Sequence, residues 1–222
     1  MGGLRGPVAT DGAAEFGEDA RLRQAAWGLW APLAGGVALG GPLPGKHQTV
    51  PRAELWAALR AVELAVGPVL LLIDNEEVCT GVALVGRDPA AFQVNLKSEL
   101  ADLWRQLRVC LLGKPAGFCT SIWVPSHAMV AETDPEREEK RQEKLQRARA
   151  QTGWHEEWPV YNEHADKAAG RAKNRHPVPR TAVERIGRVD ALARQSLKAA
   201  AQAVEDAALA LPAGRGRRGR RG

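Results

Sequence analysis

The stretch Val69-Leu70-Leu71-Leu72-Ile73-Asp74-Asn75 decides the fold class of this chain. Its first five residues are all apolar, which is typical of a strand that is covered on both faces and therefore of an α/β protein. The run ends on Asp74, so a carboxylate stands at the rim of the predicted sheet. Upstream, Pro51 begins a segment whose apolar residues recur at helical spacing, which predicts a helix that leads into the strand.

Three short β-prone segments precede this helix–strand unit, at residues 8–10, 24–33 and 37–39. Turn signals separate them, as in an antiparallel meander. The first segment ends on Asp11-Gly12, and the missing side chain of Gly12 leaves room for the backbone of a ligand to approach. After Asp74 the pattern predicts two further helices, the second over residues 96–111, and then a strand over residues 118–124.

A highly charged segment follows at residues 134–149, where eleven of sixteen side chains carry a charge. Asp134 suits a helix N-cap and Pro135 the first helical position, so the segment predicts a helix. Because it has almost no apolar groups to bury, this helix is expected to be solvated, within a charged insert that spans residues 132–158. Residues 162–173 then predict a short Ala-rich helix.

Two prolines, Pro177 and Pro179, follow a predicted domain of residues 7–176. Beyond them, residues 181–211 repeat apolar positions at alternating spacings of three and four, which predicts a long amphipathic helix. Because alanine dominates the apolar seam, two interpretations stay open: the helix packs on the domain, or it binds a partner helix. The final residues, 212–222, are an Arg/Gly tail that is expected to be disordered.

The positive charge of the chain is concentrated in that tail. The chain has 31 basic and 26 acidic residues and a net charge of +5, and five of its arginines lie within residues 215–222, so the remainder is neutral. The three cysteines form no C-x-x-C pair and indicate a reducing compartment. Because the first residues contain no apolar h-region, no secretory leader is expected, and no apolar stretch reaches membrane-spanning length. This pattern favours a soluble intracellular protein without distinguishing nucleus from cytoplasm.

Four acidic residues follow the predicted elements in an informative order: a strand aspartate, a helix glutamate, a strand aspartate and a helix aspartate. They are Asp11, Glu54, Asp74 and Asp166. Each alone has a simpler role, such as a turn, a helix cap or an exposed charge. Together they predict a site of converging carboxylates, which are the ligands that hard cations prefer. Two divalent cations about 3.5–4 Å apart can promote phosphodiester hydrolysis.

Five segments of the chain carry a resemblance to a known family. They are Ala9-Thr10-Asp11-Gly12-Ala13, Arg52-Ala53-Glu54-Leu55, Leu72-Ile73-Asp74-Asn75, Trp123-Val124-Pro125-Ser126-His127 and Asn162-Glu163-His164-Ala165-Asp166-Lys167-Ala168-Ala169. In this order they resemble type 1 ribonuclease H, in the form found in retroelements, over about residues 7–172. The resemblance implies a ribonuclease H-like α/β fold: a mixed five-stranded sheet with three antiparallel strands first, flanked by helices, here with a C-terminal helical extension. It also implies endonucleolytic hydrolysis of the RNA strand of RNA–DNA hybrids with two Mg²⁺ or Mn²⁺ ions.

Carried over residue by residue, the resemblance makes Asp11, Glu54, Asp74 and Asp166 the metal ligands. It matches His127 to a histidine on the flexible loop after the last strand, which helps proton transfer or product release. An imidazole suits that role because it titrates near neutrality. The alternative is a loop histidine without a catalytic role. The insert separates His127 from Asp166 by 39 residues.

Two other functions of this fold stay open. One is a catalytically degenerate nucleic-acid-binding module tethered by the Arg/Gly tail, which the four retained acids argue against. The other is a different nuclease, an integrase or a 3′–5′ exonuclease, which the glutamate in the first turn of the first helix and the late Asn-Glu-x-Ala-Asp motif argue against. The chain is expected to be a freestanding or excised copy. Its expected partners are an RNA–DNA hybrid, other nucleic acid through the tail, no membrane, and a helical partner through residues 181–211.

Truncation after Leu211 should weaken binding to hybrid, duplex and single-stranded nucleic acid by similar factors. The five arginines of the tail can contact phosphates, but the intervening glycines prevent a fixed geometry that reads bases. In binding titrations at several salt concentrations, the slope of log affinity against log salt should fall by up to roughly 0.9 for each phosphate that the tail neutralises. Identical slopes for the full and truncated chains would mean that the tail does not contact nucleic acid.

Overall fold

The computed structural model describes residues 3–210 of the chain, with side-chain burial through residue 207. The chain divides into two compact units after Pro177. Leu211 and the predicted disordered tail, residues 212–222, lie outside the described residues. Within the described part, no helix is both long enough and apolar enough to cross a membrane.

A five-stranded sheet forms the centre of the first unit. In chain order its strands are β1 (Leu4–Glu15), β2 (Gln24–Ala31), β3 (Val37–Pro42), β4 (Ala65–Ile73) and β5 (Cys119–Trp123). Their spatial order is β3-β2-β1-β4-β5. The β3–β2 and β2–β1 pairs are antiparallel, and the β1–β4 and β4–β5 pairs are parallel. This arrangement confirms the predicted mixed sheet with three antiparallel strands first.

Helices cover both faces of this sheet. They are α1 (Val50–Glu63), α2 (Glu76–Arg87), α3 (Ala101–Leu112), α4 (Pro135–Arg149) and α5 (Trp158–Arg175). Neighbouring residues of a strand point to opposite faces. Leu71 of β4 therefore belongs to the main core with α1, α2 and α3, whereas Leu72 belongs to a second core with α5. Burial on both faces explains the unbroken apolar run of β4 and confirms the predicted α/β class.

One strand boundary differs from the sequence prediction in a way that affects the candidate site. β1 continues to Glu15, although its β-prone pattern ends at Thr10. The second half of the strand is specified by its antiparallel pairing with β2 and not by its own side chains. Asp11 therefore lies inside β1, opposite Gly28 of β2, and not after the strand.

The charged insert contains the helix α4, and this helix is docked instead of fully solvated. Asp134 caps it, because the Asp134 carboxylate accepts hydrogen bonds from the amides of Glu136 at 3.0 Å and Arg137 at 3.1 Å. Leu145 and Ala148 are buried, while most of the other side chains of α4 are exposed. Leu145 and Ala148 therefore seat a helix most of whose charged side chains stay in water.

The second unit contains a long helix, α6 (Arg180–Ala210). The apolar periodicity of residues 181–211 predicted a helix here. Among its described side chains, Leu192, Leu197 and Val204 are largely exposed, Leu197 to 71%. Binding of a partner helix to this apolar stripe stays a prediction.

α5 lies close to the sheet because a glycine of β2 faces it. A Cβ atom on Gly28 would lie 2.3 Å from the backbone nitrogen of Ala169 and 2.5 Å from the carbonyl oxygen of Ala165. On the helix side, Ala165, Ala168 and Ala169 are small and buried. Small residues on both sides therefore set the depth at which α5, and Asp166 on it, lies over β2.

Gly28→Ala should destabilise the protein by about 1–3 kcal/mol, because the added methyl group overlaps backbone atoms that cannot rotate away. Gly170→Ala on α5 is the matched control. Apart from its chain neighbours and the adjacent backbone of its own helix, no described atom lies within 4 Å of a Cβ added at Gly170, and alanine favours a helix over glycine by up to about 1 kcal/mol. Urea unfolding should show opposite shifts for the two variants. A neutral Gly28→Ala would contradict a rigid contact between α5 and β2.

Candidate metal centre

Glu54 approaches Asp11 because α1 crosses β1 at a glycine. A Cβ atom on Gly12 would lie 2.9 Å from both the backbone nitrogen of Glu54 and the carbonyl oxygen of Val50. The space that Gly12 was expected to leave for a ligand is therefore filled by the first turn of α1. This contact buries Glu54, which is 2% exposed, on the same side of the molecule as Asp11, which is 6% exposed.

Arg52 fastens the first turn of α1 to α3. Its buried guanidinium forms a two-point ion pair with Asp102, and Nη1 also donates a hydrogen bond to the carbonyl of Glu99 at 2.9 Å. The hydrogen bond from Arg52 is the main reason that the pKa of Asp102 is lowered. Arg52 lies two residues before Glu54, so this pair restrains the position of Glu54 above the sheet.

Asp74 directly follows the last residue of β4. The indole N–H of Trp123, at the end of the neighbouring strand β5, donates a hydrogen bond to the carbonyl oxygen of Asp74 at 2.8 Å. Asn75 caps α2, because its side chain accepts a hydrogen bond from the amide of Val78 at 3.1 Å. These contacts hold the backbone at and after Asp74, where the strand turns into the helix.

Three of the four predicted carboxylates converge. One oxygen atom from each of Asp11, Glu54 and Asp74 lies within 4.8 Å of the other two. A cleft of about 380 Å³ opens at these residues, and Asp166 of α5 and His127 of the β5–α4 loop also line it. The five residues predicted from the sequence therefore surround one cleft, with three of the acids forming a tight group.

Burial and mutual repulsion raise the pKa values of the clustered acids. The pKa of Asp11 rises from 3.8 to about 8, first because burial penalises its charged form and then because of the charge of Asp74. Burial, followed by the charges of Asp74 and Asp11, holds the pKa of Glu54 well above its usual range. Burial also raises the pKa of Asp74, although a hydrogen bond with Glu54 and the charge of His127 lower it. A cation among these acids would relieve the repulsion.

Asn162 also belongs to the site, although it is neither acidic nor a histidine. It is buried on α5, lines the same cleft, and its Oδ1 has no hydrogen-bond partner among the described residues. Its position four residues before Asp166 places both side chains on one face of α5, which is the signal that could have identified it. An amide oxygen adds a neutral ligand of the kind that hard cations accept.

Comparison with known proteins gives relatives only among solved structures. No protein-family model matches the chain, and no curated protein matches it. The foamy virus (PFV) RNase H domain is 21% identical with a TM-score of 0.49, over 75% of this chain and 92% of that domain. Prototype foamy virus protease–reverse transcriptase is 22% identical (TM-score 0.46), and the foamy viral enzyme in complex with an RNA/DNA hybrid is 18% identical (TM-score 0.45), each over 75% of this chain. The chain spans about a fifth of the length of these two proteins, 20% and 19%.

The mixed five-stranded sheet, its three antiparallel first strands and the flanking helices are those that the sequence resemblance implied. The chain has a ribonuclease H-like fold. The ribonuclease H-like fold that the resemblance implied is thus confirmed. Within this ribonuclease H-like domain, the acids converge where the parallel strands β1 and β4 run side by side and helix α1 crosses them.

Without metal, the domain should lose stability as pH rises from about 4 towards 8. The pKa of Asp11 is raised in the folded state, so its stabilising protonated form is fully present below the unfolded pKa and is lost as pH approaches the folded value. In EDTA, Asp11→Asn should therefore melt above the unsubstituted protein by a larger margin at pH 8 than at pH 5.5.

Asp19→Asn is the matched control for that measurement. Asp19 is a surface aspartate whose pKa is lowered, chiefly by hydrogen bonds with Arg21. The stability that its ionised carboxylate contributes is present above the unfolded pKa and is lost only at more acidic pH. Asp19→Asn should change the melting temperature by the same amount at pH 5.5 and pH 8. If Asp11→Asn also changed it by the same amount at both pH values, the buried acid cluster would be contradicted.

Proposed function

We propose that this chain is a metal-dependent endonuclease that hydrolyses the RNA strand of RNA–DNA hybrids. The observation that carries the proposal is the convergence of Asp11, Glu54 and Asp74, with ligand atoms within 4.8 Å of one another, at the wall of an open cleft. A protein gains no stability from burying like charges together. Cation binding by the cluster would explain why the protein keeps an arrangement that costs free energy.

The residues of the site fit hard divalent cations. All three clustered acids offer oxygen ligands, and Oε2 of Glu54 is buried without a hydrogen-bond partner among the described residues. We assign Asp11, Glu54, Asp74 and Asp166 as ligands of two Mg²⁺ or Mn²⁺ ions, which prefer carboxylate oxygens. When bound, such ions supply Lewis-acid stabilisation of charge on the phosphate and favour ionisation of the attacking water.

The protein residues hold and orient this centre. Asp11 and Glu54 are almost inaccessible to solvent, so their charges have to be compensated inside the protein. Asp166 approaches the cluster from α5, the helix that packs on Gly28. His127 is exposed on the loop that borders the cleft, where an imidazole can transfer a proton or help product leave.

The substrate class rests on the five sequence segments that resemble ribonuclease H. The geometry of the cleft supports it in a general way: the cleft is open and is lined by exposed apolar side chains, Met129 and Val130, as well as by acids. Lys167, also on the cleft wall, places a positive charge at its rim, where it pairs with Glu163 at 2.7 Å. These groups suit an extended phosphodiester whose sugars and phosphates lie along the surface.

Asp74→Asn should abolish cleavage of a labelled RNA–DNA hybrid in Mg²⁺ or Mn²⁺ while the fold is kept. The substitution removes one ligand charge and relieves repulsion in the cluster, so the melting temperature in EDTA should stay level or rise. Glu77→Gln is the control, since Glu77 is an exposed acid on the following helix. It should cleave at the unsubstituted rate.

Three outcomes would distinguish the proposed hybrid nuclease from the alternative functions of this fold. Unchanged cleavage by Asp74→Asn would exclude the metal-site assignment. Tight hybrid binding by the unsubstituted chain without cleavage in either metal would favour a degenerate binding module. Cleavage of DNA in preference to the RNA strand would favour another nuclease of this fold.

A further inference from the structure

The loop that carries His127 is held by the charged insert. Ala128, the next residue, is buried, and its carbonyl oxygen accepts a hydrogen bond from Nη1 of Arg141 on α4. The amide of Val130 donates to the carbonyl of His127 at 3.2 Å, which closes a tight turn. His127 itself has a φ of +52°. A non-glycine residue is disfavoured in this left-handed region, so the surrounding contacts have to maintain the turn.

Arg141 is held in place before it contacts the loop. Its Nε and Nη2 donate to the two carboxylate oxygens of Glu138 at 2.8 and 2.7 Å. Glu138 also accepts hydrogen bonds from the side chain of Gln142 at 2.6 Å and from the amide of Glu132 at 2.9 Å. The side chain of Arg141 is only 15% exposed. A two-point pair of this kind fixes the plane of a guanidinium, which leaves Nη1 aimed at the loop.

α4 is in turn fastened to the end of β5. The side-chain amide of Gln151, just after α4, accepts a hydrogen bond from the backbone N–H of Trp123 at 3.3 Å and donates one to its carbonyl at 2.7 Å. The guanidinium of Arg147 lies over the Trp123 ring at 4.1 Å and pairs with Glu76 at 2.8 Å. Trp123 donates to the carbonyl of Asp74. The insert therefore connects the strand end that bears Asp74 with the loop that bears His127.

We propose that Arg141 is a positioning residue that pins the Ala128 carbonyl and thereby holds His127 at the cleft. The inference deepens the proposed nuclease function and rests on it for the role of His127. Its physical reason is the length of the connection: His127 and Asp166 are 39 residues apart, and a longer connection restrains its ends less. A contact from the insert to the loop replaces the restraint that a short connection would provide.

A double-mutant cycle tests the inference in the full chain. Arg141→Ala should lower kcat for hybrid cleavage roughly 10-fold, as for partners that orient a functional group, with KM unchanged. In a His127→Ala background, Arg141→Ala should change kcat by less than about twofold, because the group it positions is absent. Arg149→Ala is the matched control: Arg149 also lies on α4 and pairs with Glu156, but at an exposed site. It should leave kcat unchanged.

The inference would be overturned if Arg141→Ala lowered kcat by the same factor in the unsubstituted and His127→Ala backgrounds, because Arg141 would then act elsewhere. It would also be overturned if kcat decreased in neither background. If Arg141→Ala lacks a cooperative unfolding transition, Arg141→Lys takes its place. Lysine keeps the charge but cannot pair with both oxygens of Glu138 while donating to Ala128. It should give a smaller decrease in kcat that also disappears in the His127→Ala background.

Hydrogen exchange separates this inference from the nuclease proposal, because it needs no activity. In the free protein, peptides that cover residues 126–131 should exchange faster in Arg141→Ala than in Arg149→Ala or the unsubstituted chain. If the unsubstituted chain fails to cleave hybrid but the exchange difference is present, the nuclease proposal alone is wrong. Equal exchange in all three proteins would mean that Arg141 does not hold the loop.

Discussion

Helices α1 and α5 each approach a strand glycine more closely than any side chain would permit, and the candidate site depends on both approaches. At Gly12 the first turn of α1 lies against β1, and at Gly28 α5 lies against β2. Gly12 follows Asp11 in the strand, and Gly28 pairs with Asp11 across the β1–β2 ladder. The two glycines therefore set the distances at which Glu54 and Asp166 stand from the same aspartate.

This packing is unfavourable for the charges that it brings together. The approach that buries Glu54 removes water from carboxylates that repel one another, and the pKa values of Glu54 and Asp11 rise as a result. The ion pair of Arg52 with Asp102, one turn away, compensates a buried charge inside the protein, whereas the acid cluster has no comparable cation among the described residues. Proteins break such local rules at functional sites, so the contrast between these neighbouring groups supports the proposed metal site in the cleft.

The sequence was informative wherever a residue's own chemistry determines its environment. The apolar run of β4 predicts a strand buried on both faces, and the order of four acids along the predicted strands and helices predicts a converging site. β1 is longer than predicted because the residues after Asp11 are paired by their partner strand and not by their own pattern. The role of Gly12 could not be predicted, since a missing side chain does not identify what fills the space. The docking of α4 could not be predicted either, because Leu145 and Ala148 are a weak apolar signal in a segment with eleven charged residues.

The contact between Gln151 and Trp123 has a consequence for association between molecules. Among the described residues, β5 is one of the two edge strands and pairs with no strand other than β4, so its other edge is open to an additional strand. An open edge is a template on which a strand of another chain can add, and this is a route to aggregation. The amide of Gln151 occupies both the donor and the acceptor of Trp123, as an incoming strand would. The insert thus protects the sheet from self-association at the edge nearest Asp74, and a chain without it would have to protect that edge by other means.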